Sequence, residues 1–159
     1  TFQIVRPLAG LSVIENVTVA ALVRERSIVG ARAQAARVLA QVGLEHKAES
    51  PAGGLTLPER KMLELAKALA TRPRLLMLDE VMAGLRPAEA MKVAAVIEGL
   101  NASGLTVLLI EHVMRVVMAI ARTVIVLHHG EKIAEGAPGA IAADPRVVEC
   151  YLGHLGRKR

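Results

Sequence analysis

A set of short apolar runs, alternating with helical patterns in the second half of the chain, constrains the fold most. Residues 74–78, 105–110 and 123–127 are apolar almost throughout. Between them, residues 87–101 and 113–121 carry helical patterns; Pro87 stands at a favourable early helix position and Ser103-Gly104 closes the first helix. Residues 131–134 read as a short fourth strand. Strands that are apolar on both sides have no face to offer water. The pattern therefore predicts an α/β fold, a parallel sheet covered on both faces by helices. In such sheets ligands bind beyond the carboxyl ends of the strands, so the functional question lies there.

The first half reads as helical. Residues 12–24 open with Ser12 followed three positions later by Glu15, a capping-box pattern. Residues 30–42 set Ala35, Val38, Leu39 and Val42 on one stripe. The Ser-Pro-Ala-Gly-Gly run at 50–54 breaks the chain. A further helix follows Pro58, with Met62, Leu65, Ala66 and Leu69 on one face, and Pro73 ends it.

At 159 residues the chain suffices for one domain with a core, and 53% hydrophobic residues exclude disorder. Phe2 and Tyr151 are its only aromatic residues, so packing rests on aliphatic side chains. No apolar run approaches the roughly 18–20 residues that span a bilayer. No secretory leader is visible, and the start at Thr1 in an apolar stretch leads us to expect that an N-terminal portion is missing. The single cysteine, Cys150, forms no internal disulfide, fits a reducing compartment and reads as a small buried hydrophobe. The net charge is +5 and the pI about 9.9. Lys and Arg are scattered, however, with no aromatic residues between them for base stacking, so no nucleic-acid partner is expected. The terminal Arg157-Lys158-Arg159 reads as a solvated tail.

The first apolar strand runs into Asp79 and Glu80, the second into Glu111 and His112, the third into His128 and His129. An acid at the end of a buried strand suits Mg²⁺ held partly through water and phosphate oxygens. A neighbouring acid can orient or deprotonate an attacking water, and a histidine can donate to a terminal phosphate. Each feature alone is ordinary: strand exits are often polar, and a lone His112 reads as structural. His128-His129-Gly130 reads as a turn without a role. In combination they supply most of the parts of a phosphoryl-transfer site.

The chain resembles the ABC ATPase family at these residues. Leu75-Leu76-Met77-Leu78-Asp79-Glu80 looks like its Walker B strand and catalytic glutamate, and Ala83-Gly84-Leu85-Arg86-Pro87 sits where the D-loop belongs. Leu108-Leu109-Ile110-Glu111-His112 is similar to the H-loop strand. Leu55-Thr56-Leu57-Pro58-Glu59 aligns with the signature, and Thr1-Phe2-Gln3 resembles the Q-loop. The resemblance implies the C-terminal part of a P-loop NTPase-like core, residues 71–159, with an attached helical subdomain, residues 1–70. It implies ATP and Mg²⁺ as cofactors. Asp79 and Gln3 would serve Mg²⁺, and Glu80 would be the general base or water-orienting group. Gln3 would also sense the attacking water and couple the site to the membrane subunit, and His112 would contact the γ-phosphate. Thr56, Leu57, Pro58, Glu59 and the D-loop Gly84 would face the ATP of a partner subunit in a head-to-tail homo- or heterodimer. Further implied partners are transmembrane permease subunits and, indirectly, a periplasmic substrate-binding protein. The implied place is peripheral, on the cytoplasmic face of the inner or plasma membrane.

Departures accompany the resemblance. Pro58 replaces a signature glycine and has no N–H to give. Glu59 brings a negative charge toward a phosphate, which weakens that contact unless Arg60 or Lys61 compensates. Gly53-Gly54 lies too early to be the signature pair and reads as a loop break, and Arg86 stands where the D-loop often has Asp or Asn. No G-x-x-x-x-G-K-[ST] phosphate loop occurs in the sequence. The expectation is an ATPase as a full-length protein and no hydrolysis by these residues alone.

The segment from Gly130 to Gly136, the following Asp144-Pro145-Arg146 and the final Tyr151-Leu152-Gly153 are similar to ATPase subunits of branched-chain amino acid importers. The lipopolysaccharide-exporter ATPase is the alternative within the family. A soluble ABC ATPase acting on DNA or the ribosome and a non-catalytic remnant stand as further alternatives.

Overall fold

A computed structural model describes residues 7–152. They fall into two compact units that divide between Glu111 and His112.

The first unit holds a helical bundle and a parallel strand pair. Helix α1 (Val13–Ala21) starts at Ser12 in the expected capping box: the Ser12 N–H donates to Glu15 Oε2 at 2.7 Å and the Glu15 N–H to Ser12 Oγ at 3.3 Å. Its next free amides also find acceptors. Val13 N–H donates to the Ser50 carbonyl and Ile14 N–H to that of Ala48, so the 48–52 loop closes the helix end. Helix α2 (Ile28–Gln41) is capped by Ser27, and α3 (Leu57–Ala70) begins at Thr56, with Pro58 in its first turn where no N–H is needed. The three helices bury Val13, Val17, Ala21, Ala31, Ala35, Leu39, Leu63 and Ala66 completely. Alanines at these contacts let the helices approach closely, which is how a core without aromatic residues fills its space.

Buried Asn16 fastens the incoming chain to this bundle. Its Oδ1 accepts from Leu8 N–H at 2.8 Å, and its Nδ2 donates to the carbonyls of Leu8 and Ser12 at 3.1 and 2.9 Å. At the far end of α3, Arg72 takes a left-handed backbone (φ 50°) and pairs with Glu25, while Arg24 Nε donates to the Thr71 carbonyl.

Strands β1 (Leu75–Asp79) and β2 (Thr106–Ile110) pair in parallel, Leu75 opposite Thr106 and Asp79 opposite Ile110. Helix α4 (Pro87–Ala102) connects them, buries the stripe Ala90, Val93, Ala94, Ile97 and Leu100, and packs on β2. Leu76 and Leu78 are buried on one face of the pair. The other face is open: Leu75, Met77, Leu108 and Ile110 are 48%, 58%, 45% and 56% exposed.

The second unit contains α5 (Met114–Ile120), strands β3 (Val124–His128) and β4 (Glu131–Gly136), and helices α6 (Pro138–Ala143) and α7 (Pro145–Leu152). Val126, Ala134, Ile141 and Val147 form its small core. The sequence predicts a sheet covered on both faces and made of parallel strands. The parallel arrangement holds for β1 and β2, but one of their faces is open and β3 pairs antiparallel with β4. The physical reason lies in the turn. His129 (φ 48°) and Gly130 (φ 85°) both take left-handed backbones, the two-residue geometry that folds a strand straight back on itself. Cys150, expected to be buried, is exposed. Val147 carries the buried contact of α7, whereas Cys150 lines an open cavity with His128, Lys132, Ile133, Arg146 and Glu149.

Candidate functional site

The carboxyl end of β1 and the turn after it form the centre of the candidate site. Asp79 is exposed and lies on the open face with Leu75 and Met77, by strand alternation. Glu80 leaves the strand with a left-handed backbone (φ 46°), yet its N–H still donates to the Ile110 carbonyl at 2.9 Å and so continues the β1–β2 ladder. Its direction is thereby fixed at an uncommon backbone conformation for a non-glycine residue. The turn then closes on itself: Ala83 N–H donates to the Glu80 carbonyl and Leu85 N–H to that of Met82, both at 3.1 Å.

Met82 is buried, and its N–H donates to Glu111 Oε1 at 2.8 Å. Glu111 at the end of β2 thus reaches across to the turn after β1. Gly84 follows with φ 79°, and a Cβ built on it would lie 3.2 Å from Leu57 Cδ2. A side chain at position 84 would press on the first residue of α3. The fold therefore brings together two segments remote in sequence, 80–86 and the start of α3.

At that helix start, Thr56 N–H and Thr56 Oγ1 both donate to Glu59 Oε2 at 2.8 Å. The hydrogen bond from the Thr56 backbone is the main cause that holds the Glu59 carboxyl below its ordinary value; the Thr56 hydroxyl and Lys47 add to it. Lys47 Nζ stands 3.6 Å from Glu59 Oε1. Arg60 instead donates to the carbonyls of Leu55 and Gly53, and Lys61 is buried. Charge compensation of Glu59 thus comes from Lys47 on the preceding loop. Arg86 likewise closes onto its own helix by pairing with Glu89.

Of the residues singled out from the sequence, Asp79, Glu80 and Gly84 share one strand end and turn, and Thr56, Leu57, Pro58 and Glu59 share the start of α3. Leu57 links the two groups through Gly84. His112 opens the second unit and is exposed. Gln3 lies outside the described residues. Sequence reasoning named Glu111 as part of a polar strand end without giving it a role; its position at the end of β2, one residue before His112, was the available signal. Lys47 carried no signal, because its partner lies across a loop.

The donor set fits a hard cation on the acid side. Asp79 offers an exposed carboxylate at a strand end, and Mg²⁺ takes few protein ligands and keeps waters and phosphate oxygens. Among the described residues no group of three or more His, Cys, Asp and Glu side chains could hold a metal by itself. The phosphate side fits less well, since Pro58 removes an amide from the first turn of α3. No described helix is long and apolar enough to cross a membrane.

Comparisons with known proteins show the family of the chain. The ABC transporter family model matches residues 1–83, and the branched-chain amino acid ATP-binding cassette transporter model matches residues 131–155. The chain is 38% identical to the high-affinity branched-chain amino acid transport ATP-binding protein BraF of Pseudomonas aeruginosa, with 96% of this chain and 66% of BraF covered. LivG of Escherichia coli K12, of the same description, is 36% identical over the same shares. The lipopolysaccharide export system ATP-binding protein LptB of E. coli K12 is 33% identical, over 90% of this chain and 60% of LptB. The chain thus spans about two thirds (66%) of the length of its branched-chain relatives. Among solved structures, the ADP conformation of MJ1267, an ATP-binding cassette of an ABC transporter, superposes with a TM-score of 0.83 at 29% identity, covering 96% of this chain and 67% of that one. With the ABC transporter family model matching residues 1–83, more than half of the 159 residues, the chain belongs to the ABC transporter family.

Proposed function

We propose that this chain is part of the ATP-hydrolysing subunit of an ABC transporter that imports branched-chain amino acids. The carrying observation is the meeting of the 80–86 turn with the start of α3 through Gly84 and Leu57, at the end of a strand that delivers Asp79 and Glu80. ATP with Mg²⁺ would supply the reactive phosphoanhydride and its charge neutralisation. Asp79 holds the Mg²⁺ side, together with Gln3. Glu80 directs the attacking water and takes its proton. His112 contacts the γ-phosphate. Thr56, Leu57, Pro58, Glu59 and Gly84 face the nucleotide of a second ATPase subunit. Residues 1–70 form the helical lobe that receives the permease, and residues 71–159 belong to the nucleotide-binding core. The protein works at the cytoplasmic face of the membrane, with a periplasmic binding protein acting through the permease. These residues alone do not hydrolyse ATP, because no phosphate loop occurs among them.

The match of residues 131–155 favours amino-acid import over lipopolysaccharide export. The test is ATP turnover by the intact protein reconstituted with its permease. Stimulation by leucine-loaded binding protein is the expected result. Stimulation by lipopolysaccharide alone would move the assignment to export, and no turnover under either condition would support a non-catalytic subunit.

A further inference from the structure

We propose that Glu111 is a positioning residue for the hydrolytic site, a latch that fixes the 80–85 turn through the Met82 amide; this rests on the ATPase reading given above. Oε1 of Glu111 accepts from Met82 N–H at 2.8 Å. Its other oxygen, Oε2, is buried and has no hydrogen-bond partner among the described residues. An orphaned buried carboxylate oxygen costs stability, so packing alone does not account for a glutamate at this position. Its one evident task is the Met82 amide.

That amide sits midway between the residues whose placement matters. Two residues earlier, Glu80 holds a left-handed backbone, and two residues later Gly84 holds another against Leu57. The turn's other internal bonds, Ala83 to Glu80 and Leu85 to Met82, are local and tie neighbours only to one another. Glu111 supplies the side-chain bond from β2 to the turn, 29 residues away in sequence. Without it, buried Met82 keeps an unpaired N–H, and both Glu80 and Gly84 gain freedom. A displacement of about an ångström at a catalytic group can cost a hundredfold in rate.

The test compares Glu111→Ala and Glu111→Gln in the intact protein, by hydrogen exchange of the Met82 amide and by ATP turnover. Glu111→Ala is expected to speed Met82 exchange at least about tenfold, while amides in α1 and α2 stay protected. It is expected to lower kcat about tenfold or more and leave the KM for ATP within about twofold. Glu111→Gln keeps an oxygen for the amide and is expected to stay within about threefold of wild type in both readouts. Should Glu111→Ala fail to fold, Glu111→Asp, one methylene shorter, takes its place with the same expected loss. Unchanged Met82 exchange in the Ala or Asp variant overturns the latch, as does a Gln variant as impaired as Ala. Wild-type protein without ATP turnover removes the ATPase reading instead, and Met82 exchange then decides the latch alone.

Discussion

The helical bundle of α1–α3 and the β1–β2 strand pair are built from the same aliphatic residues and meet opposite fates. In the bundle, Val13, Leu39 and Leu63 are fully buried, and the amides that open α1 are answered by Ser12 and the 48–52 loop. In the strand pair, Leu75, Met77, Leu108 and Ile110 are about half exposed on one face, although the other face is closed. Composition therefore does not decide burial; the supply of a covering layer does. The bundle completes its own core, whereas the strand pair that carries Asp79 and Glu80 offers an apolar surface beside its acids.

The comparison breaks most readily in the bundle. Leu63→Ala should destabilise by about 2–5 kcal/mol, measured by denaturant unfolding, because a closed core cannot collapse around the void. Asn16→Leu should cost about 1–3 kcal/mol through the Leu8 N–H left unpaired, since the Leu8 and Ser12 carbonyls keep the backbone N–H groups of Leu11 and Asn16. Ser12→Ala should cost about 1 kcal/mol through the lost helix cap. That difference has a pH signature. Hydrogen bonds from Ser12, the backbone bond first, lower the Glu15 carboxyl from its ordinary 4.5. A depressed folded value means that the capping contribution is fully present above pH 4.5 and is lost as pH falls through the lowered value. Ser12→Ala keeps the backbone bond to that carboxylate and removes only the hydroxyl bond, so the gap between wild type and variant should narrow by the hydroxyl's smaller part as pH falls through that value. On the open strand face, Met77→Ala should change stability by less than about 0.5 kcal/mol. The paired change Met77→Lys with Ile110→Lys should reduce self-association in light scattering, since exposed apolar patches drive association. A large stability loss from Met77→Ala would mean that this face is covered in solution.

Much of this arrangement was legible in the sequence where the signal is local. Ser12 with Glu15, Pro58 near a helix start, the His129-Gly130 turn and the apolar run into Asp79 each declare themselves within a few residues. The antiparallel partner of β3 was missed although its cause is local: the His129-Gly130 turn, not the apolar character of β3, decides the pairing. The other features that failed to show were long-range. The same glutamate at position 59 reads as a repulsive charge from its place in the signature, and as a helix cap paired with Lys47 once the 45–59 loop is folded. Glu111 showed as a polar strand exit, but the Met82 amide that gives it a task lies on another strand's turn. The contact between Gly84 and Leu57 had no local trace at all.

The central claim concerns Glu80, and substitution by its isosteric amide tests it most directly. Glu80→Gln preserves shape and the backbone bond to Ile110 but removes the carboxylate that is proposed to act as the base. In the intact protein, single-turnover ATP hydrolysis should fall about a hundredfold or more, with nucleotide affinity kept within about threefold. Hydrolysis at the wild-type rate in Glu80→Gln would contradict the account.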